Sequence, residues 1–382
     1  MSSVEIKKVE NRRDLKTFIE FHYELYQGNE YDAPTLFSDD MHVLDPKKNA
    51  AFEFCEAELY LAYKEGKLVG RVAAIINHKA NKQWDTKAVR FGWIDFIDDI
   101  EVSRALLDAV GNYGKAHGMD NIIGPLGFTD MDPEGMLTDG FDQLGTMATL
   151  YNYPYYPRHM QELGGWEKDN DYVEYKLIVP KEMPEKYMKV AQMIEKRYDL
   201  HVRAMTRREI FKDGYGHKVF EVINETFKHL YGYSELSDRQ IDQYVKMYLP
   251  FVDLNWVPIV EDWSVTPHKL VGVGITIPSL SRALQKLHRG RLWPFGWWDM
   301  LRVLKFHKTK IVDLLLIGVL PEYRVKGANA LLFSHLIPIY QKYGIEWGET
   351  HVEMETNGKV QSQWQYLETV QHKRRRCYKK LL

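Results

Sequence analysis

Residues 314–332 read LLLIGVLPEYRVKGANALL. The apolar run 314–320 has the character of a buried strand, and Pro321 ends it. A turn with Arg324, Lys326 and Gly327 follows, and a helical pattern opens behind it. Glycine lets the backbone approach an anion closely. The unpaired amides at a helix start then face that anion, aided by the helix dipole. Strand, basic glycine turn and helix in this order make a seat for a pyrophosphate. The plainer alternative is a turn whose glycine only relieves a tight bend.

Working outward, this stretch belongs to a pattern that occurs twice. Helical sequence at 216–229 leads into a hairpin at 256–277, a strand at 311–319, a helix at 326–343 stopped by Gly344, and a strand at 349–353. The first half has helical sequence at 11–26, a hairpin at 58–76 turning at 64–67, a strand at 89–97, a helix at 101–117 stopped by Gly118, and a strand at 121–124. Glycine after the last helical residue is a usual left-handed end. The second strand of each hairpin begins KLVG, at 67–70 and 269–272. The join is expected at 179–185, VPKEMPE, which divides the chain into domains 1–180 and 181–382.

The 314–332 stretch resembles the acyl-CoA-binding motif of the GNAT superfamily of N-acyltransferases. That motif runs Val-x-Pro-x-x-Arg/Gln-x-x-Gly-x-Gly/Ala after the fourth strand. Val319, Pro321, Arg324 and Gly327 fit it, and Asn329 stands where Gly or Ala is usual. The resemblance implies an α/β (α+β) fold of two GNAT-like domains in tandem, each a mixed central sheet flanked by helices. It implies acyl-CoA or acetyl-CoA as co-substrate and no metal. The CoA seat would comprise Ile317, Val319, Leu320, Arg324, Val325, Lys326, Gly327, Ala328 and Asn329, with Asn357 further on. The matching first-half turn, IDDIEVSR at 97–104, has no glycine and carries Asp98, Asp99 and Glu101. Those acids repel a pyrophosphate, so the first copy is expected to be degenerate.

Acyl transfer to an amine needs a proton acceptor, a site for the oxyanion and a proton for the leaving thiolate. His351, Glu353 and Glu355 lie in HVEMET at 351–356 and share one face if that segment is a strand. Each is a candidate base, as is Glu322. A helix is expected over 357–369. The family's usual acid is a tyrosine about two turns after Asn357. That spacing reaches Trp364 here, with Tyr366 nearby on another face. CoA thiol is acidic enough to leave without such help.

A second candidate is GPLGFTDMDPEGMLTDGFD at 124–142, with Asp130, Asp132, Glu134, Asp139 and Asp142. It starts like a calcium loop, but Pro133 and Phe141 occupy positions that such a loop gives to other residues. An acidic loop at a strand end could draw in a cationic acceptor amine. The aromatic run YNYPYYPR at 151–158, with Tyr153 and Tyr156, could line the same cleft. A solvated loop beside a packed aromatic cluster is the alternative.

Composition sets the class. The chain has 382 residues, 45% hydrophobic and 27% charged, as in folded globular proteins. Cys55 and Cys377 are the only cysteines. They build no disulfide framework or zinc motif, and a reducing cytoplasmic setting is expected. The charged stretch 1–16 is unlike a signal peptide, and the run 314–320 is too short to span a membrane. Net charge is −2, but it is unevenly spread. Residues 1–180 carry 19 basic and 31 acidic side chains, and residues 181–382 carry 32 and 22. Such asymmetry suggests different partners for the two halves.

Two segments hold the excess of bases. SRALQKLHRGRLWPFGWWDMLRVLKFHKTK at 281–310 carries eight bases and one acid among Trp293, Phe295, Trp297, Trp298 and Phe306. It has no first-half counterpart of similar character. The mixture suits the surface of an anionic membrane better than single-stranded nucleic acid. It equally suits a lid over the acyl-CoA cleft in which Trp297 and Trp298 touch substrate. HKRRRCYKKLL at 372–382 adds six bases, as a cationic sheet edge, a CoA-phosphate contact or a membrane contact.

With its GPLGFTDMDPEG and LWPFGW segments, the chain resembles a bacterial ceramide synthase-like group within the superfamily. That resemblance implies transfer of a long-chain acyl group to a lipid amine like a sphingoid base, by a protein peripheral to the inner membrane face. Other readings are acetyl transfer to a soluble amine, amino acid or peptide, aminoacyl transfer from tRNA, and a non-catalytic CoA-binding or scaffold protein.

Overall fold

The computed structural model describes residues 3–183, 185–358 and 367–382. Their strands are β1 (Glu5–Lys8), β2 (Cys55–Lys64), β3 (Lys67–Asn77), β4 (Ala88–Phe96), β5 (Asn121–Gly124), β6 (Met136–Asp139), β7 (Glu167–Ile178), β8 (Leu200–Ala204), β9 (Pro258–Asp262), β10 (Lys269–Pro278), β11 (Ile311–Val319), β12 (Trp347–Thr350), β13 (Glu353–Met354) and β14 (Thr369–Leu381). They form one mixed sheet, ordered β1-β2-β3-β4-β5-β14-β7-β12-β11-β10-β9-β8, with β13 beside β7 and β6 beside β14.

Local chemistry accounts for the elements. The β2–β3 hairpin turns through Glu65 and Gly66 at φ 52° and 74°, the left-handed pair favoured in two-residue hairpin turns. Asn11 caps helix Arg12–Leu25 by accepting from the amides of Arg13 and Asp14. Helices Ile100–Ala116 and Ala328–Tyr343 are followed by Gly118 and Gly344 at φ 74° and 70°. The first buries Leu106, Leu107 and Val110, and the second buries Leu331, Leu332 and Leu336. Each such side chain contributes about 1.5–3 kcal/mol.

The two halves do not close separately. β7 pairs with β12 of the second half, from Trp347↔Ile178 to Glu349↔Lys176. β14 pairs with β5 of the first half, from Tyr378↔Gly124 to Leu381↔Asn121. β7 and β14 pair with each other between them. Each half therefore hands its last strand to the other.

This exchange corrects the expectation for 372–382. The basic segment is an interior strand, and most of its cations meet acids of β7 and β12. Lys373 lies between Glu349 and Glu174 at 2.8 and 3.4 Å. Arg375 bonds Glu174 at 2.5 Å, and Arg374 and Arg376 bond Asp171 at 3.1 and 2.7 Å. In the basic insertion, Arg291 and Arg289 pair with Glu20 and Glu24 of the first half at 2.5 and 3.1 Å. Much of the opposed charge of the two halves is thus turned inward, each half serving as the other's partner.

The fourth strand of each half carries a bulge. Ile275 faces Leu316 and Thr276 faces Leu314, which leaves Leu315 of β11 as an extra residue. Arg71 faces Asp95 and Ala73 faces Gly92, so β4 has an extra residue in the same region, where Trp93 has φ 46°. A bulge bends its strand and ends regular pairing. β11 accordingly pairs with β12 only from Ile311↔Trp347 to Leu314↔Thr350. β4 pairs with β5 only from Ala88↔Asn121 to Arg90↔Ile123. A wedge therefore opens between β11 and β12, whereas in the first half the chain after β5 returns to β4, where the Leu126 amide donates to the Phe91 carbonyl at 2.9 Å.

Candidate functional site

The second-half wedge leads to the glycine turn. β11 ends at Val319, Pro321–Arg324 forms one helical turn, and Gly327 at φ 83° starts the helix Ala328–Tyr343. Arg324 Nε donates to the Val319 carbonyl at 2.7 Å, which folds the side chain back over the strand end. The left-handed backbone at Gly327 strains any other residue, and a Cβ there would also press on the end of the Ile194 side chain at 2.7 Å. The first-turn amides of Ala328 and Asn329 have no intrahelical partner. Asn329 Oδ1 is buried without a hydrogen bond. Because an Asn amide presents a donor at its other end, that side chain can turn an N–H toward an anion. These residues fit a pyrophosphate.

The flanking candidates are more ordinary. Val319 and Leu320 are buried, and Ile317 packs on the same core. Val325 is exposed, and Lys326 lies over the Tyr323 ring at 4.4 Å. Tyr323 in turn donates to Asp262 at 2.8 Å. Asn357 sits in a turn whose amide bonds the Met354 carbonyl at 2.9 Å. Tyr366, Trp364 and most of the helix expected over 357–369 lie outside the described residues.

The segment 351–356 is not one strand. β12 stops at Thr350 and β13 holds only Glu353 and Met354. Pairing with β7 shifts between Glu349↔Lys176 and Glu353↔Val173, so residues 350–352 hold one residue too many and the alternation breaks there. The three candidates therefore do not form one even face. Glu355 is occupied by Lys168 and Arg374, and both hold its carboxyl below the usual range. Glu353 is buried opposite Val173 of β7. Glu322 pairs with Lys269 at 3.2 Å, and backbone hydrogen bonding lowers its carboxyl. His351 stands at the mouth of the wedge. Desolvation lowers its pKa, against the raising pull of Glu174 and of the backbone at Val352 and Ala148. The ring is neutral near pH 7 and able to take a proton.

Ala148 leads to a cavity of about 120 Å³ between the halves. The first half lines it with Asp39, Asp40, Trp93 and Asp132, and the second with Tyr248 and Met300. Thr35 Oγ1 donates to Asp40 at 2.8 Å, and the Trp93 indole reaches its other oxygen at 3.4 Å. Burial pushes Asp39 and Asp132 up to about 6. His22 and Arg71 also border the cavity. Burial opposes charge on His22, yet Asp32 and Asp95 outweigh it and hold its pKa at about 10. Arg71 bonds Asp95 at 2.8 Å.

The first-half expectations change in kind. The 124–142 loop folds inward, with the amide of Gly135 on the Pro125 carbonyl and Asp132 accepting from Thr129. Burial raises Asp130 well above the carboxylate range and Glu134 to about 7. The loop is therefore not the solvated one of the alternative reading, and of these three acids only Asp132 borders the cavity. Tyr156 is buried and bonds Asp95 at 3.1 Å, and Tyr153 stacks on Tyr26 at 5.0 Å. Both support helix Arg12–Leu25, and neither borders the cavity. Asp99 caps helix Ile100–Ala116 by accepting from the Glu101 amide, so a carboxylate fills the first-half anion position. Trp297 and Trp298 are half exposed and lie outside the cavity lining.

Asp39, Asp40, Trp93, His22 and Arg71 carried no motif. Only the adjacent acids at 39–40 gave a local signal, and nothing in the sequence said that they face the second half.

No protein-family model matches the sequence. Over 97% of this chain and 93% of its own length, Protein YghO of Escherichia coli (strain K12) is 26% identical. A protein named bacterial ceramide synthase, from Caulobacter vibrioides (strain NA1000 / CB15N), is 24% identical over 89% of this chain and 88% of its own. Among solved structures, a tandem GNAT protein from the clavulanic acid biosynthesis pathway overlays at a TM-score of 0.55 and 12% identity. The overlay covers 99% of this chain and 98% of that one.

Proposed function

From the tandem GNAT fold that this chain carries, we propose an acyl-CoA-dependent N-acyltransferase that transfers a long-chain acyl group to a lipid amine. The observation that carries the reading is the register of β11. Its pairing with β12 stops at Leu314, and the strand runs on for five residues to the glycine turn. One end of that gap suits the pyrophosphate, on the amides after Gly327. The bulged strand beside it suits the thioester carbonyl, because its backbone is no longer paired to β12. His351, kept neutral by desolvation, is the group we assign to take the proton of the attacking amine. As the new amide bond forms, the C–S bond breaks and CoA leaves as thiolate. The proton lost by the amine passes to the imidazole and can return to the sulfur.

Long-chain and lipid specificity is supported by what surrounds Leu315. Leu284, Met300 and Val303 of the insertion pack with Met147, Leu36 and Leu315 as one apolar cluster at the bulge. Met131, Met147 and Met300 all border the cavity. Unbranched thioether side chains repack readily, so the site can widen for a chain that the unliganded cavity does not hold. The relative from Caulobacter vibrioides bears the name bacterial ceramide synthase, which suggests a sphingoid base as acceptor.

The test is thiol release by the purified chain from acetyl- and palmitoyl-CoA, with a sphingoid base or a soluble amine as acceptor. The proposal expects release with palmitoyl-CoA that depends on the sphingoid base and is lost in Arg324→Ala. A preference for acetyl-CoA and a soluble amine would overturn the lipid assignment. No amine-dependent release with any pair would overturn the enzyme reading.

A further inference from the structure

The insertion at 281–310 is a fixed plate with two faces. Its inner face is anchored to the first half. Phe37 donates its amide to Gly290 at 3.0 Å, Arg291 lies over the Phe37 ring at 4.0 Å, and Gln285 donates to the Asp32 carbonyl at 2.7 Å. Leu284, Leu287, Met300 and Val303 are buried beneath it. At its far end His307 is buried and stacks on Trp256 at 5.3 Å. The segment also exposes its apolar side chains: Trp293 is 79% exposed, Phe295 80% and Phe306 54%, and Trp297, Trp298 and Leu301 on the helix between them are exposed too. Trp297 donates its indole N–H to Pro294 at 3.1 Å and meets Trp298 edge to face. Trp297 and Trp298 are thus held on the helix Gly296–Leu304, which buries Met300 and Val303 beneath it.

An open cluster of this size marks an interaction surface. The charges around it select the partner. Arg302, Lys305 and Lys308 of the same segment are exposed and make no ion pair among the described residues. Arg289 and Arg291, on the inner side, are neutralised by Glu24 and Glu20. Tryptophan and phenylalanine flanked by unpaired cations match the headgroup layer of an anionic bilayer, where aromatic rings settle and each cation adds attraction. No helix among the described residues is long and apolar enough to cross a membrane, so the contact is a surface one.

We infer that residues 293–306 dock this chain on an anionic bilayer, and that the acceptor amine enters the cavity from that surface past helix Gly296–Leu304. The docking stands by itself, and the delivery step rests on the acyltransferase reading. Met300 links the two, since this helix carries it into the cavity lining while Leu301 faces out.

Flotation of the full chain tests docking, with vesicles of phosphatidylcholine alone or mixed with phosphatidylglycerol. The chain is expected to float with the mixed vesicles only. Phe295→Ser with Phe306→Ser, and separately Arg302→Glu with Lys305→Glu and Lys308→Glu, are expected to lower that affinity on the order of a hundredfold. These side chains are exposed, so near-wild-type melting of the variants will show intact folding. The same variants should keep their rate on a detergent-dispersed acceptor and lose it on the same amine embedded in vesicles. Equal binding to both vesicle types, no binding to either, or a dimer broken by Phe295→Ser without vesicle binding would each overturn the docking. Vesicle binding without transfer to any amine would leave docking intact and overturn the acyltransferase reading instead.

Discussion

His351 and Asp313 are both desolvated, and desolvation drives each toward its neutral form. For His351, the base of the proposed reaction, this favours the uncharged ring. His351→Gln is expected to lower kcat by about 10²–10⁴-fold with little change in melting temperature. It should also remove an acidic limb of kcat/KM that lies below pH 6.5, the ordinary histidine value. An unchanged pH profile in the variant would assign the proton to another group. Asp313, on β11 with Glu349 nearby, is pushed up by burial to about 7 from 3.8. The native state therefore keeps a proton that the unfolded chain gives up, and stability falls as pH rises from about 4 to about 7. Asp313→Asn should flatten that decline in melting temperature. A slope equal to the wild type would refute the assignment.

Among elements, the β7–β14 pair has the largest consequence for stability. Glu174 meets Arg375 and Lys373 inside the sheet, and their charges hold its carboxyl at about 2 against 4.5. Its contribution is complete above pH 4.5 and is lost as pH falls through about 2. Glu174→Ala would leave two buried cations facing one carboxylate fewer. It is expected to cost about 3–5 kcal/mol in chemical denaturation, with both halves unfolding together. Two separate transitions, with only one shifted, would contradict the shared sheet. Most elements were legible in the sequence because local signals specify them. The turn at 64–67, Gly118, Gly344 and the strand Ile311–Val319 are of that kind. The exchange of β7 and β14 was not legible, since alternation defines a strand and does not name its neighbour. The site divided the same way. The turn at 319–329 follows from residue order alone. The cavity lining comes from six separate stretches of the first half and three of the second, joined only by folding.

For the whole molecule, the near-zero net charge hides an internal match. Acids of the first half meet bases of the second along β14 and beneath the insertion, and the bases left over edge the exposed aromatic face. His351 contacts the backbone at Ala148 of the cavity wall, and Met300 joins that wall to the insertion; in the proposed reaction the acyl donor and the acceptor would meet along that line. Met300→Trp, which fills the cavity wall, should slow transfer from palmitoyl-CoA at least tenfold and leave any acetyl transfer largely unchanged. Equal loss with both donors would separate the cavity from the acyl path. The most direct measurement is mass spectrometry of the products formed by the purified chain from palmitoyl-CoA and a sphingoid base on anionic vesicles. The account predicts an N-palmitoylated base in equal amount with released CoA, and none with Arg324→Ala. Free fatty acid alone, or an intact acyl-CoA pool, would contradict it.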